Sequence, residues 1–193
     1  EQYTYNHKRE MIVNSEPKTD KKNSIEYRKI VGSIAGIMKQ QGALSSGEMA
    51  ELRRISQDQP FTPALWRLLI MLNLTEPPSW ISQNEWERRW ATLFMGMAHC
   101  NGLHNFNISL GEGLANAGWS ELRFVQLMRA KGENLEIQLR RLAQFLSSKN
   151  QETNWTDVAR LLFHQSGSYS ESIRLSISRN YYTKIYSNEK SNR

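Results

Sequence analysis

The sequence predicts an all-α protein: a bundle of about eight or nine helices joined by short loops and arranged as two packed sub-bundles. Three observations predict it. From residue 24 onward, apolar residues recur at helical spacing almost throughout. Ser, Thr or Asn stands before most of these runs, usually with an acidic residue three positions on, which is capping-box spacing. No segment alternates apolar and polar residues over a useful strand length.

Taken in order, residues 1–23 are polar, with Pro17 and a charged run at 18–22. So few apolar side chains cannot offset the entropy of ordering, and a flexible tail is expected. Residues 25–41 carry Ile30, Val31, Ile34, Ala35 and Met38 on one stripe and end at Gly42. Ser45 with Glu48 opens a short helix through Ile55. Thr62 before Pro63 places a cap ahead of a proline at the first helical position. The helix behind it carries Leu65, Leu68, Leu69 and Leu72 and stops before Pro77-Pro78. Ser82 with Glu85 opens residues 85–99, with Trp86, Trp90, Leu93, Phe94 and Met97 as the face to bury. Ser109 with Glu112 opens the next helix. Ser120 opens another, with Trp119 and Phe124 at the hydrophobic-staple positions around it. Leu135, Leu139, Leu142 and Leu146 make a further stripe; Asn154 with Asp157 starts residues 155–164, and Ser170 starts residues 171–186, with Ile173, Ile177, Tyr181 and Ile185 in line. The Pro77–Ser82 turn and the 100–107 loop are natural boundaries, giving expected sub-bundles at 24–103 and 104–193.

At 193 residues, one domain of ordinary size is the default. Hydrophobic content of 39%, with six Trp, is enough for a helical core. The net charge of +6 favours an acidic partner: nucleic acid, an anionic membrane surface or an acidic protein. Most of that charge sits in residues 123–184, where ten basic residues, mostly Arg, stand against five acidic ones. The lone Cys100 cannot form an internal disulfide, which fits a reducing, cytoplasmic setting. No apolar run approaches the length needed to cross a membrane, no membrane partner is expected, and no secretory signal is visible.

No catalytic set emerges. His99, Cys100 and His104 are the only nearby soft ligands, one short of the four that structural zinc takes and without its spacing, so no metal and no cofactor is expected. A lone Cys at a helix end is most often simply buried. Gly111 and Gly113 lie inside a helix and form no phosphate loop; they are expected to admit a close neighbouring backbone. The arginines carry more information. Arg123 and Arg129 are six residues apart, about 240° around a helix, so they cannot share a face. Arg140 and Arg141 point about 100° apart, and Glu136 stands one turn before Arg140 as an ion-pair partner. Arg53 reads as solvated. A basic surface needs only several such residues on one side, and it would hold sugar-phosphate backbone without reading bases. The Trp residues of 85–99 read as core. Tyr181, Tyr182 and Tyr186 are open between core, partner contact and stacking on bases.

Several segments together resemble the CasB family, the small subunit of the type I-E CRISPR surveillance complex Cascade. The matching pattern is SLG-x-x-LA-x-(A/S)-G at 109–118, then E-x-RF-x-QL-x-RA at 121–130, QLRRL at 138–142 and W-x-x-(V/L)-A-R-(L/M)-L at 155–162. An upstream element, GEMAELRR, lies at 47–54, so the resemblance spans about residues 42–175. It implies a two-bundle helical protein without catalytic activity that binds nucleic acid without sequence specificity. It implies a second copy of the chain as partner, head to tail, together with the large subunit, the CasC backbone and the CasE end subunit. CRISPR RNA and target DNA are the implied nucleic acids, and R-loop stabilisation the implied role. Carried over by position, Arg54, Arg123, Arg140 and Arg141 are the implied backbone-binding residues, supported by Arg129 and Lys131. Glu112 stands where relatives can carry Arg, and the 1–23 segment exceeds the usual start. Two other classes remain open from the residues alone: a helical adaptor for acidic protein surfaces, and a helix-turn-helix regulator using 109–130. The would-be recognition helix of the latter begins Glu121-Leu122, a poor base-reading face.

Overall fold

The computed structural model describes residues 26–191, and the expected tail at 1–23 lies outside them. Among the described residues there are nine helices and no strand beyond two isolated bridges. They are α1 (Tyr27–Lys39), α2 (Ser46–Arg54), α3 (Pro63–Met71), α4 (Gln83–His99), α5 (Leu110–Asn116), α6 (Glu121–Arg129), α7 (Gly132–Ser148), α8 (Trp155–Phe163) and α9 (Gly167–Ser191). The all-α bundle expected from the sequence is the fold observed.

Most of the capping chemistry acts as read. Ser45 and Glu48 form a full capping box, with each side chain bonded to the other's backbone. Thr62, Ser82 and Ser109 accept the N–H groups of Leu65, Glu85 and Glu112. Three starts differ. Ser120 makes no side-chain cap bond; its carbonyl alone accepts the Phe124 N–H, and Trp119 and Phe124 pack on Phe145 and Tyr181 respectively. Asn154 caps α8 through the Thr156 N–H, while Asp157 reaches across to the Leu110 N–H and so caps α5 instead. The last helix starts at Gly167, three residues before Ser170, and the Ser170 hydroxyl is buried inside it as acceptor from Arg174 Nε.

Helix α4 is the centre. Twelve of its seventeen residues are buried, too many for one amphipathic stripe, so it is enclosed: α1, α2 and α3 pack on it from one half of the chain, α7 and α8 from the other. The buried apolar residues form one cluster running through both halves. Trp86, Trp90, Phe163 and Tyr27 meet where α1, α4 and α8 converge, with ring centroids 4.6–5.4 Å apart. The Trp residues of α4 are therefore core, as expected. Such rings bury large areas and prefer tilted or edge contacts like these.

The tightest crossing is α5 against α9. A Cβ at Gly111 would lie 2.7 Å from Tyr181 N and closer still to the Ile177 carbonyl oxygen. Only glycine permits two helix backbones to approach this closely, so the expectation of a close neighbour at Gly111 holds. At the end of α5, Gly118 adopts φ 76°, and Trp119 N–H returns to Leu114 O at 2.9 Å. This left-handed helix stop turns Trp119 inward.

Candidate nucleic-acid interface

A cation can serve a ligand only if the fold has not already used it. Several arginines are used. Arg53 is exposed, as the sequence suggested, but its Nε donates to Ala98 O at the end of α4. Arg89 donates to Phe163 O at the end of α8 and pairs with Glu85. Arg174 donates to Met128 O and Ala130 O at the end of α6. Each guanidinium meets orphan carbonyls at the negative end of a helix, where a cation belongs. Arg67 is paired with Glu48 and Arg160 with Asp157, while Arg28 lies over the Phe106 ring.

Arg54, Arg123, Arg129, Lys131, Arg140 and Arg141 have no ion pair among the described residues. The expected Arg140–Glu136 pair does not form. Glu136 faces α4 and pairs with Arg88 at 3.7 Å, because that neighbouring helix brings a cation to it across the interface. Arg140 is thereby left half-buried with no carboxylate. Burial lowers its pKa, and burial also lowers that of His99, with Arg140 and Arg53 adding repulsion. Burial also raises the Glu136 pKa against the pull of Arg88.

Helix α7 places the QLRRL residues by periodicity. Leu139 and Leu142 enter the core, so the residues between them point to the two flanks. Arg140 lines a cavity of about 380 Å3 between α4, α7 and the 55–60 segment, together with Arg88, Thr92 and Glu136. Across α7 a second cavity of about 360 Å3 opens against α6, lined by Arg123, Gln126 and Gln138. Arg141 and Gln144 line both, and so form the ridge between them. The fold thus brings Arg123, Arg140 and Arg141 onto one continuous surface and adds Arg88. Arg88 was missed by the sequence reading, although the signal was there: Glu85 is the one-turn partner of Arg89, which leaves Arg88 free to face a neighbour. Arg54, Arg129 and Lys131 line neither cavity; they stand exposed at the end of α2, the end of α6 and the start of α7. Arg129 is separated from Arg123, as their spacing requires.

Cys100 and His104 each make a hydrogen bond within the fold. Cys100 is buried, donates to Ala143 O and has its pKa pushed up to about 12, so it is a thiol and no nucleophile at neutral pH. His104 Nδ1 accepts the Trp155 N–H. Among the described residues, no three of His, Cys, Asp and Glu stand together as a metal would need, and no helix is long and apolar enough to cross a membrane. The surface offers an array of guanidiniums and amides, which can bind extended anions.

The family model described as CRISPR-associated protein Cse2 matches residues 48–182 of the chain. The chain belongs to the Cse2 family. The match covers α2 through most of α9, including all four arginines of the surface. Two solved structures share the Cse2 fold. A chain in the structure of E. coli Cascade bound to a PAM-containing double-stranded DNA target is 22% identical, with a TM-score of 0.60 over 81% of this chain and 96% of that one. CasB from Thermobifida fusca is 16% identical, with a TM-score of 0.56 over 80% of this chain and 94% of that one. No curated protein sequence matches in direct comparison.

Proposed function

We propose that this Cse2-family chain is a non-catalytic small subunit of a type I-E Cascade complex, which holds nucleic-acid backbone without reading its sequence and so stabilises the R-loop. The observation that carries the reading is the gathering of Arg123, Arg140 and Arg141 around α7 with no carboxylate of their own. Unpaired guanidiniums on a groove surface attract phosphates and release counterions on binding, and this requires no base contact. Arg88 joins them at the cost of competing with Glu136, while Arg54, Arg129 and Lys131 would extend the contact at its edges. The partners in this reading are CRISPR RNA, target DNA, the large subunit, the CasC backbone, the CasE end subunit and a second copy of the chain, in the cytoplasm. Sequence would be read by guide pairing, with protein holding backbone and displaced strand.

The test is the double substitution Arg140→Ala/Arg141→Ala in the reconstituted complex, with assembly checked by mass. Intact assembly with weaker R-loop formation and a shallower salt dependence is the expected result. Each lost phosphate contact flattens the log–log salt slope by about 0.7 on a single strand and about 0.9 on a duplex. Lost assembly would reassign the pair to subunit contact, and no change would leave the two arginines without a function.

A further inference from the structure

We infer that the cavity between α6 and α7 is a pocket for one nucleobase splayed out of a bound strand, an inference that rests on the nucleic-acid-binding role proposed above. Its volume of about 360 Å3 lies within the range of small-ligand sites, roughly 300–1,000 Å3. Its anatomy is a buried floor with an exposed rim. Trp119 and Gln138 are 3% and 7% exposed, with Phe145 beside them, and the Trp119 and Phe145 rings meet edge to face at 4.9 Å. The rim is made by Arg123 and Gln126 of α6 and by Arg141 and Gln144 of α7, all exposed.

Two features distinguish this cavity from a packing gap. The first is unspent hydrogen bonding at the floor. The Gln138 side-chain amide, which lines the cavity, has no hydrogen-bond partner among the described residues, and the Trp119 indole N–H is buried without an acceptor. An amide that lines a cavity and bonds to nothing in the fold is available to a ligand. A glutamine offers donor and acceptor side by side, which matches the edge of a base. The second feature is the Arg123 guanidinium, held over the Trp119 ring at 5.6 Å. The planar cation lies beside the tryptophan ring, and a base entering the cavity can stack on the guanidinium. No carboxylate lines the cavity, unlike its neighbour with Glu136 and Asp58, so the phosphate of the same nucleotide meets only Arg123 and Arg141.

The experiment compares the intact chain binding oligothymidylate with its binding to an abasic oligonucleotide of equal length and charge, by fluorescence anisotropy over a salt series. The base-bearing strand should bind about five- to a hundredfold more tightly, the range one stacked base supplies. Gln138→Leu should shrink that ratio without lowering Tm, because it removes an amide that bonds to nothing in the fold. Arg123→Lys, which keeps the charge but loses the plane, should shrink it as well. Repeating the comparison with ribo-oligonucleotides tells displaced DNA from guide RNA as the source, and a base-dependent ratio on either supports the pocket. Equal affinity for base-bearing and abasic strands, with the salt slope intact, overturns the pocket and leaves backbone binding standing. Binding of neither strand overturns both. A fall of several degrees in Tm for Gln138→Leu would show the amide to be structural, and that also overturns the pocket.

Discussion

Gly111→Ala tests the packing that holds the C-terminal helix, and the structure fixes its sign. Gly111 sits in α5 where α9 crosses it, and the atoms its new Cβ would meet belong to the backbone of Ile177 and Tyr181. A flexible side chain could swing away, but a helix backbone must move as a unit. Carbon in ordinary contact sits at about 3.5–4.0 Å, so clearing the Ile177 carbonyl oxygen requires α9 to retreat by roughly 1.5–2 Å. Overpacking of this kind costs about 1–3 kcal/mol and occasionally more. Alanine returns about 1 kcal/mol through its better helix propensity. With backbone on both sides of the clash, the upper part of the range applies, leaving a net loss of about 2 kcal/mol. For a chain of this length that is a Tm drop of about 4–8 °C. Gly36→Ala is the matched control: Gly36 lies exposed within α1 with nothing within 4 Å of a new Cβ, so there the propensity gain stands alone and stability should rise. Urea unfolding followed by far-UV circular dichroism measures both. The reasoning is refuted if Gly111→Ala is as stable as the parent or more so. The same variant should disturb the α6–α7 cavity, because Tyr181 on α9 donates its hydroxyl proton to Trp119 O at 2.6 Å.

Three further outcomes follow from the charge arrangement. Glu136→Gln removes the carboxylate that occupies Arg88, so single-stranded nucleic acid should bind more tightly at low salt, with a log–log salt slope steeper by about 0.7; an unchanged slope would mean that Arg88 makes no phosphate contact. Arg174→Met strips the last carbonyls of α6 of their charged donor and should cost about 1–3 kcal/mol by urea unfolding, whereas Arg179→Ala, at an exposed residue with no partner among the described residues, should stay within about 0.5 kcal/mol of the parent. Burial holds His99, His104 and His164 below their ordinary pKa of 6.5, with nearby guanidiniums adding to the effect. The folded chain therefore binds fewer protons than the unfolded chain between each lowered value and 6.5. Stability from this source is complete above pH 6.5 and is lost as pH falls below it, so the urea midpoint should be lower at pH 5.5 than at pH 7.5. An equal or higher midpoint at pH 5.5 would mean that the lowered histidine pKa values do not govern stability in this range.

Much of the fold was legible because local chemistry agrees with global packing. The Ser45–Glu48 box, the Thr62-Pro63 start and the Leu stripe of α7 each specify a helix and its buried face within a few residues of sequence. The failures occur where a side chain is claimed from outside its own segment. Asp157 has the spacing to support its own helix, yet it caps α5, forty-seven residues away. Glu136 has Arg140 one turn ahead, yet Arg88 of α4 takes it. Ser120 and Ser170 have the residue type for a cap, yet the Ser120 side chain makes no cap bond and the earlier start of α9 leaves Ser170 inside the helix.

The sequence by itself determined the helices, their core faces, the family and the arginine pairs from which the surface is drawn. It did so because helical periodicity and capping are short-range, repeating about every 3.6 residues. Only the tertiary structure decided which arginines are free. Arg53, Arg89 and Arg174 donate to the carbonyl ends of helices distant in sequence, while Arg123, Arg140 and Arg141 converge on one surface because α6 and α7 pack side by side. The cavity between those helices depends on the same packing, since its floor joins residues of the α5–α6 turn to residues of α7, and nothing in their spacing encodes that distance.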